Sequence, residues 1–295
     1  MKRTLSRIYA DILEHHLFQV SAALSYYFIL AIFPGLILLS AILGSLPFPD
    51  FFIHILVALD RVLPHEAMHA VYTVVSDVTS SRRGAWLSFG TLGTIWVVSS
   101  AFDAVIEALS IAYGVIDTRP MWKTRLEALG LAALSGGLLL VALAVVILGP
   151  RFGEWLANQI DLSSIFVSLW PSLRWAIAIG FTVLAVELLY YFGPCVRQNF
   201  KATIPGSILS VTAWIAGSHL LGTYFHHFGN YNRTYGVLGG FIAFMIWLYW
   251  SSFTVLVGAE LNAELASQQL ERSRVGEQAG DDRRLLNRRS SDRAA

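Results

Sequence analysis

Charged side chains are scarce in this sequence. Asp, Glu, Lys and Arg make up 14% of its 295 residues, against about 25% in soluble domains. A deficit of that size means that much of the chain faces something other than water. The formal net charge is +1, which gives no reason to expect nucleic-acid binding through a basic surface. One cysteine, Cys195, excludes an intrachain disulfide. No phosphate-binding Gly-rich loop, dinucleotide fingerprint or nucleophile elbow is present. No cofactor is implied.

What fills the chain is apolar. Hydrophobic residues are 55% of it and the mean hydropathy is +0.58. Nine Trp and eleven Tyr suit membrane interfaces, where an amphipathic ring sits at headgroup level, although core packing explains them as well. A spanning helix needs ~20 mostly apolar residues, because ~30 Å of hydrocarbon is crossed at ~1.5 Å per residue. Six segments qualify: Val20–Leu46, Leu87–Tyr113, Ala128–Leu148, Trp175–Phe192, Ala202–Phe225 and Val237–Ala259. The first is too long for a signal-peptide core and reads as a retained span. The expectation is an all-α polytopic membrane protein. Residues 1–19 form a cytoplasmic N-terminal segment, 20–265 a six-helix domain, and 266–295 a charged cytoplasmic tail without fixed structure.

Loop charge sets the orientation. With six spans, Lys2, Arg3 and Arg7, then Arg119, Lys123 and Arg125, then Arg197 and Lys201, and the seven arginines of the tail share one side. That is 15 of the 21 Lys and Arg. Both termini are therefore expected in the cytoplasm. The outer loop between the first two spans is unusually apolar. Phe51 to Leu63 and Ala67 to Val78 carry helical spacing on either side of Pro64, which predicts two short amphipathic helices at the outer interface. Leu162 to Leu169 is a weaker case of the same kind.

Carboxylates inside spans are the residues most open to a functional reading. An ionised side chain at mid-membrane costs at least ~2.5–3.5 kcal/mol on insertion scales, so it usually faces a bundle interior or a wet cavity. Asp103 and Glu107 are four apart, on one helix face. With Glu187 and Glu260 they fall in the inner half of the protein. One reading is a polar vestibule that binds a cation, a proton or a polar substrate. The other is that these acids pair with Arg119, Lys123, Arg125 or Arg197 and hold the bundle together. His219 and the pair His226-His227 are open to proton handling or to plain hydrogen bonding.

His65-Glu66-Ala67-Met68-His69 matches H-E-x-x-H, in which two imidazoles at i and i+4 hold zinc and the glutamate acts as base. No third ligand follows at metzincin spacing, where Tyr72 and Val75 stand, and an acid after Pro64 is ordinary for a helix start. His65 and His69 are thus weak metal candidates, and no metal is expected. Pro34-Gly35, Gly136-Gly137 and Pro205-Gly206 read as kinks or packing points. Gly236 and Gly240 have the small-xxx-small spacing that permits close helix approach.

Several runs carry a resemblance. Ala22-Ala23-Leu24-Ser25-Tyr26-Tyr27 leads to Phe33-Pro34. Ala112-Tyr113-Gly114-Val115 is followed by Arg119-Pro120 and Trp122. Ile204-Pro205-Gly206 is followed by Trp214, Tyr231, Tyr235-Gly236 and Leu238-Gly239. The last runs are Trp247-Leu248-Tyr249 and Gly258-Ala259-Glu260-Leu261-Asn262-Ala263-Glu264. Together these resemble the YihY/BrkB family of bacterial inner-membrane proteins over about Ile12 to Leu265. The chain departs at Ser110, where the family often has Asn, and the H-E-x-x-H run is not a family feature. The resemblance implies six spans and residence in the inner membrane, with the lipid bilayer as partner. Members have carried a ribonuclease BN label, others are associated with virulence or serum resistance, and transport has been suggested.

Three functions follow as expectations. The first is a transporter or exporter of a small polar or lipid-linked substrate, with Asp103, Glu107, Glu187 and Glu260 lining its inner cavity and oligomerisation open. The second is a membrane scaffold or envelope-assembly protein. The third, an enzyme using residues 65–69 or the ribonuclease chemistry, is the reading the sequence favours least.

Overall fold

Helix boundaries in this protein follow from a few capping residues. The computed structural model describes residues 2–44, 84–160, 164–196, 198–227 and 231–292, and all regular structure among them is helical. Helix α1 is Lys2–Glu14 and α2 is Leu17–Gly44. Between them His16 takes φ 52°, the left-handed conformation that closes a helix. Helix α3, Gly84–Ala112, stops at Tyr113-Gly114. Gly114 has φ 62°, its N–H bonds to the Ile111 carbonyl at 2.9 Å, and the Val115 N–H reaches the Ser110 carbonyl at 2.9 Å. That is the Schellman arrangement, which needs glycine at its left-handed position.

Helix α4, Met121–Ile160, starts on Pro120, whose carbonyl receives the Lys123 N–H at 2.9 Å. Helix α5 is Ser164–Phe192, and Gly193-Pro194 ends it. Helix α6, Phe200–His227, is capped by Asn199, whose side-chain oxygen accepts the Lys201 N–H at 3.2 Å. Helix α7 is Tyr231–Asp292.

Helices α2 to α7 each pack on the next, and α7 returns to α2, so the six long helices close a ring; α3 also touches α7, and α1 lies against α7 and α2. Five of the long helices hold stretches long and apolar enough to cross a membrane: Gly93–Ala112, Met121–Pro150, Leu169–Phe192, Phe200–Phe225 and Gly239–Gln269. Helix α2 has 28 residues, about 42 Å of helix, of which Leu17–Ile32 is the described apolar stretch. The core is concentrated where α1, α2, α3, α5, α6 and α7 converge, around Ile12, Leu17, Leu24, Leu109, Tyr190 and Leu256.

The structure differs from the sequence expectation in four places. Residues 1–19 contain a helix of their own, because Ile8 and Ile12 form an apolar stripe that buries against the bundle. The segment after Leu162 is continuous with α5 from Ser164 and is not a separate surface helix. Gly136 and Gly137 face open space, so they are not close-packing points. Finally, α7 runs as helix to Asp292 where a tail without regular structure is expected after Leu265; the segment has no proline to stop it. The two expected outer-loop helices, with His65 and His69, lie outside the described residues.

Candidate functional site

Six segments meet at one end of the ring. These are the α1–α2 corner, the end of α3, the start of α4, the end of α5, the start of α6 and residues 254–264 of α7. Arg119 fastens two of the connections. Its guanidinium grips both carboxylate oxygens of Asp117, reaches Glu127, and donates to the Gly193 carbonyl at 2.8 Å. These hydrogen bonds from Arg119 hold the Asp117 carboxyl below the usual carboxylate range.

Glu187 sits inside this end and is 2% exposed. The sequence places it ten residues before Arg197, deep in a span. Because Gly193-Pro194 ends α5 at Phe192, it is five residues from the helix end, about 7.5 Å. Across from it, Thr203 and Ser207 are one turn apart on α6. Thr203 Oγ1 donates to Glu187 Oε1, and Ser207 Oγ lies 2.7 Å from Oε2. Among the described residues no Lys, Arg or His pairs with it. Each hydroxyl can turn instead to its own helix, Thr203 to the Phe200 carbonyl at 2.9 Å and Ser207 to the Ile204 carbonyl at 2.9 Å. A hydroxyl has one proton to give and two lone pairs. The ionised carboxylate is therefore served by both hydroxyls, and a protonated one can donate to a hydroxyl that has turned away.

Around Glu187 the helices cross closely. Asn262 spans the turn around Pro205 in α6: its Oδ1 accepts the Gly206 N–H at 2.8 Å and its Nδ2 donates to the Thr203 carbonyl at 2.8 Å. A neighbouring helix thereby holds the backbone on both sides of the proline. Gly206 and Gly258 make the crossing possible, since a Cβ on either would overlap the other's carbonyl oxygen. Tyr190, with no exposed surface, places its hydroxyl 2.5 Å from Ser210 Oγ and donates to the Val255 carbonyl at 2.6 Å. The Tyr113 hydroxyl is shielded, lies beside Asn262 and Gln198 near both Glu187 and Glu260, and has no hydrogen bond among the described residues.

Glu260, also 2% exposed, is met by His15 Nδ1 at 2.6 Å. Two turns of α1 away, Arg7 approaches Glu264 at 3.4 Å. Arg7 and Glu264 thus share one end of the bundle.

The four carboxylates singled out in the sequence do not form one site. Glu187 and Glu260 converge. Asp103 lies on another face of α3, 3.9 Å from Arg125 Nε, whose guanidinium also donates to Ser100 at 2.7 Å and sits 4.4 Å over the Trp96 ring. Glu107 is exposed. His219 is exposed on α6. Pro34 and Gly35 fall inside α2, with Gly35 facing Val98; Gly236 and Gly240 fall in the first turns of α7. Sequence reasoning did not assign roles to His15, Tyr113, Tyr190, Thr203, Ser207 or Asn262. A signal existed in Thr203, Ser207 and Ser210, which follow i, i+4, i+7 spacing and form a polar stripe in an otherwise apolar span.

Comparison with known proteins gives consistent results. The family model "Virulence factor BrkB" matches residues 8–283. The putative ribonuclease-like protein YfkH of Bacillus subtilis (strain 168) is 31% identical over 245 residues, 83% of this chain and 88% of its own length. A UPF0761 membrane protein of Pseudomonas aeruginosa (strain LESB58) is 26% identical over 86% of this chain and 60% of its own. A UPF0761 membrane protein of Tolumonas auensis is 31% identical over 44% of this chain and 42% of its own. Several relatives are thus longer than the portion this chain spans. No solved structure matches.

Proposed function

The chain belongs to the BrkB family of integral membrane proteins, and from that premise we propose that it is a transporter of the bacterial inner membrane. It moves a small polar or lipid-linked solute, and Glu187 is the group that takes up and releases a proton or cation during the cycle. The observation that carries this reading is the pairing of Glu187 with two hydroxyls that can re-aim, and with no basic side chain among the described residues. A purely structural acid at such depth is usually neutralised by a fixed partner, because an isolated buried charge is costly. The end holding the cluster faces the cytoplasm in this reading, in accord with the 15 basic residues assigned to that side. Pro205 in the second turn of the continuous α6, beside the Gly206 that Asn262 holds, is a point where that helix can bend.

The test is reconstitution into proteoliposomes with a trapped pH-sensitive dye, under an imposed gradient and a panel of small polar solutes. Glu187→Gln keeps the shape and the hydroxyl contacts. Transport predicts loss of the solute-dependent proton signal with unchanged folding.

A scaffold is the second reading, supported by the tight Gly206–Gly258 crossing. It predicts that the same substitution acts on stability or complex formation alone. The name of YfkH describes that protein as ribonuclease-like. A metal-dependent nuclease would bring several ligands together, and among the described residues no three His, Cys, Asp or Glu side chains are so placed. The transport reading assigns the chain no catalytic step; hydrolysis of an RNA substrate by the purified protein would reverse that.

A further inference from the structure

The α3–α4 flank carries a second, unrelated signal. On α3, Ala101, Val105, Ile106, Ala108 and Leu109 are buried against the bundle. The remaining face, at spacings of three and four, is Trp96, Ser100, Asp103, Glu107 and Ile111. Trp96 is 64% exposed, Glu107 is open, and Asp103 is half-buried. This face therefore turns away from the ring, within a membrane-crossing stretch. Arg125 of the same chain already lies beside Asp103, Ser100 and Trp96, and Glu107 has no cation beside it among the described residues; lipid hydrocarbon is a poor solvent for that carboxylate, so its part of the face needs a polar cover.

The adjoining first turn of α4 supplies the matching charge. Lys123 is exposed, beside Trp122 and Leu126. It lies near Asp117, which Arg119 already holds. Glu107 is five residues before the end of α3, about 7.5 Å, and Lys123 is two residues into α4, about 3 Å. Counted from these adjoining helix ends, the two positions differ by about 4.5 Å, which a lysine side chain covers. A two-fold axis along the membrane normal relates equal depths and makes a self-complementary interface. We infer that this flank is the interface of a homodimer, in which Glu107 of each copy meets Lys123 of the other across the Trp96–Ile111 face. The inference is independent of the transport reading.

Cysteine cross-linking in native membranes tests it. In a Cys195→Ser background, which removes the one native thiol, Ile111→Cys should give a disulfide-linked dimer on oxidation. Leu220→Cys on α6, 74% exposed, should not. Glu107→Lys or Lys123→Glu, each added to Ile111→Cys, should lower the cross-linked fraction by roughly tenfold or more, as like charges meet. The double reversal should restore it. Restoration also shows that the single variants lost pairing and not folding. Absence of a dimer at 111, equal dimer at 111 and 220, or no restoration in the double reversal would overturn the inference; a face covered by lipid or by a different protein gives the first of these.

Discussion

Two acidic sites in the membrane-crossing helices are held in opposite ways. At the α5–α6–α7 crossing, Glu187 is fully buried and touches two hydroxyls that each have an alternative acceptor. On the α3–α4 flank, Asp103 is half-buried and sits by Arg125, itself tied to Ser100 and stacked on Trp96. Sequence position treats the two acids alike, since both interrupt an apolar span. Their partners separate them. Asp103 has a cation beside it, and Glu187 has in that place two hydroxyls that can each turn to another acceptor.

The comparison can be broken first at its packing. Gly258→Ala drives a methyl into the Gly206 carbonyl and the Tyr190 hydroxyl. It should cost about 1–3 kcal/mol, the usual range for overpacking, read as a fall in unfolding midpoint in detergent. Asn262→Ala comes next. It leaves the Gly206 N–H and the Thr203 carbonyl without their side-chain partner, at a cost of about 1–3 kcal/mol, and should disturb Glu187 through Thr203. The acid limb of stability is a smaller effect. Asp117 has a lowered pKa in the folded state, so its contribution is present above the unfolded value, about 3.9, and is lost as pH falls through the folded value. Asp117→Asn should flatten the pH dependence of the unfolding midpoint in that acidic window and leave neutral-pH dependence in place. Smallest is Asp103→Asn. The Arg125 contact is long and partly solvated, so the change should cost under about 1 kcal/mol and leave transport intact.

Much of the architecture was legible because membrane helices advertise themselves by length and hydropathy. Apolar length places both ends of α3 and α6 within three residues and the end of α5 at Phe192, while α5 begins eleven residues before the expected Trp175; Gly114 and Gly193-Pro194 give two of these ends a chemical cause. The site was legible only in part. Glu187 stands out as a charge in an apolar run, but its partners Thr203 and Ser207 lie 16 and 20 residues away on another helix. Asn262 and His15 are farther still from the groups they serve. Such contacts depend on which helix faces meet, and a single sequence does not report that. The grouping of Asp103 and Glu107 with Glu187 fails for the same reason: depth along a helix is readable, while direction around it depends on neighbours.

The most direct test places the two acids side by side in one assay. Proteoliposomes containing wild type, Glu187→Gln or Asp103→Asn, matched for folded protein, are compared for solute-dependent proton flux. The account predicts flux in wild type and Asp103→Asn and none in Glu187→Gln. Undiminished flux in Glu187→Gln, or equal loss in both variants, would contradict it.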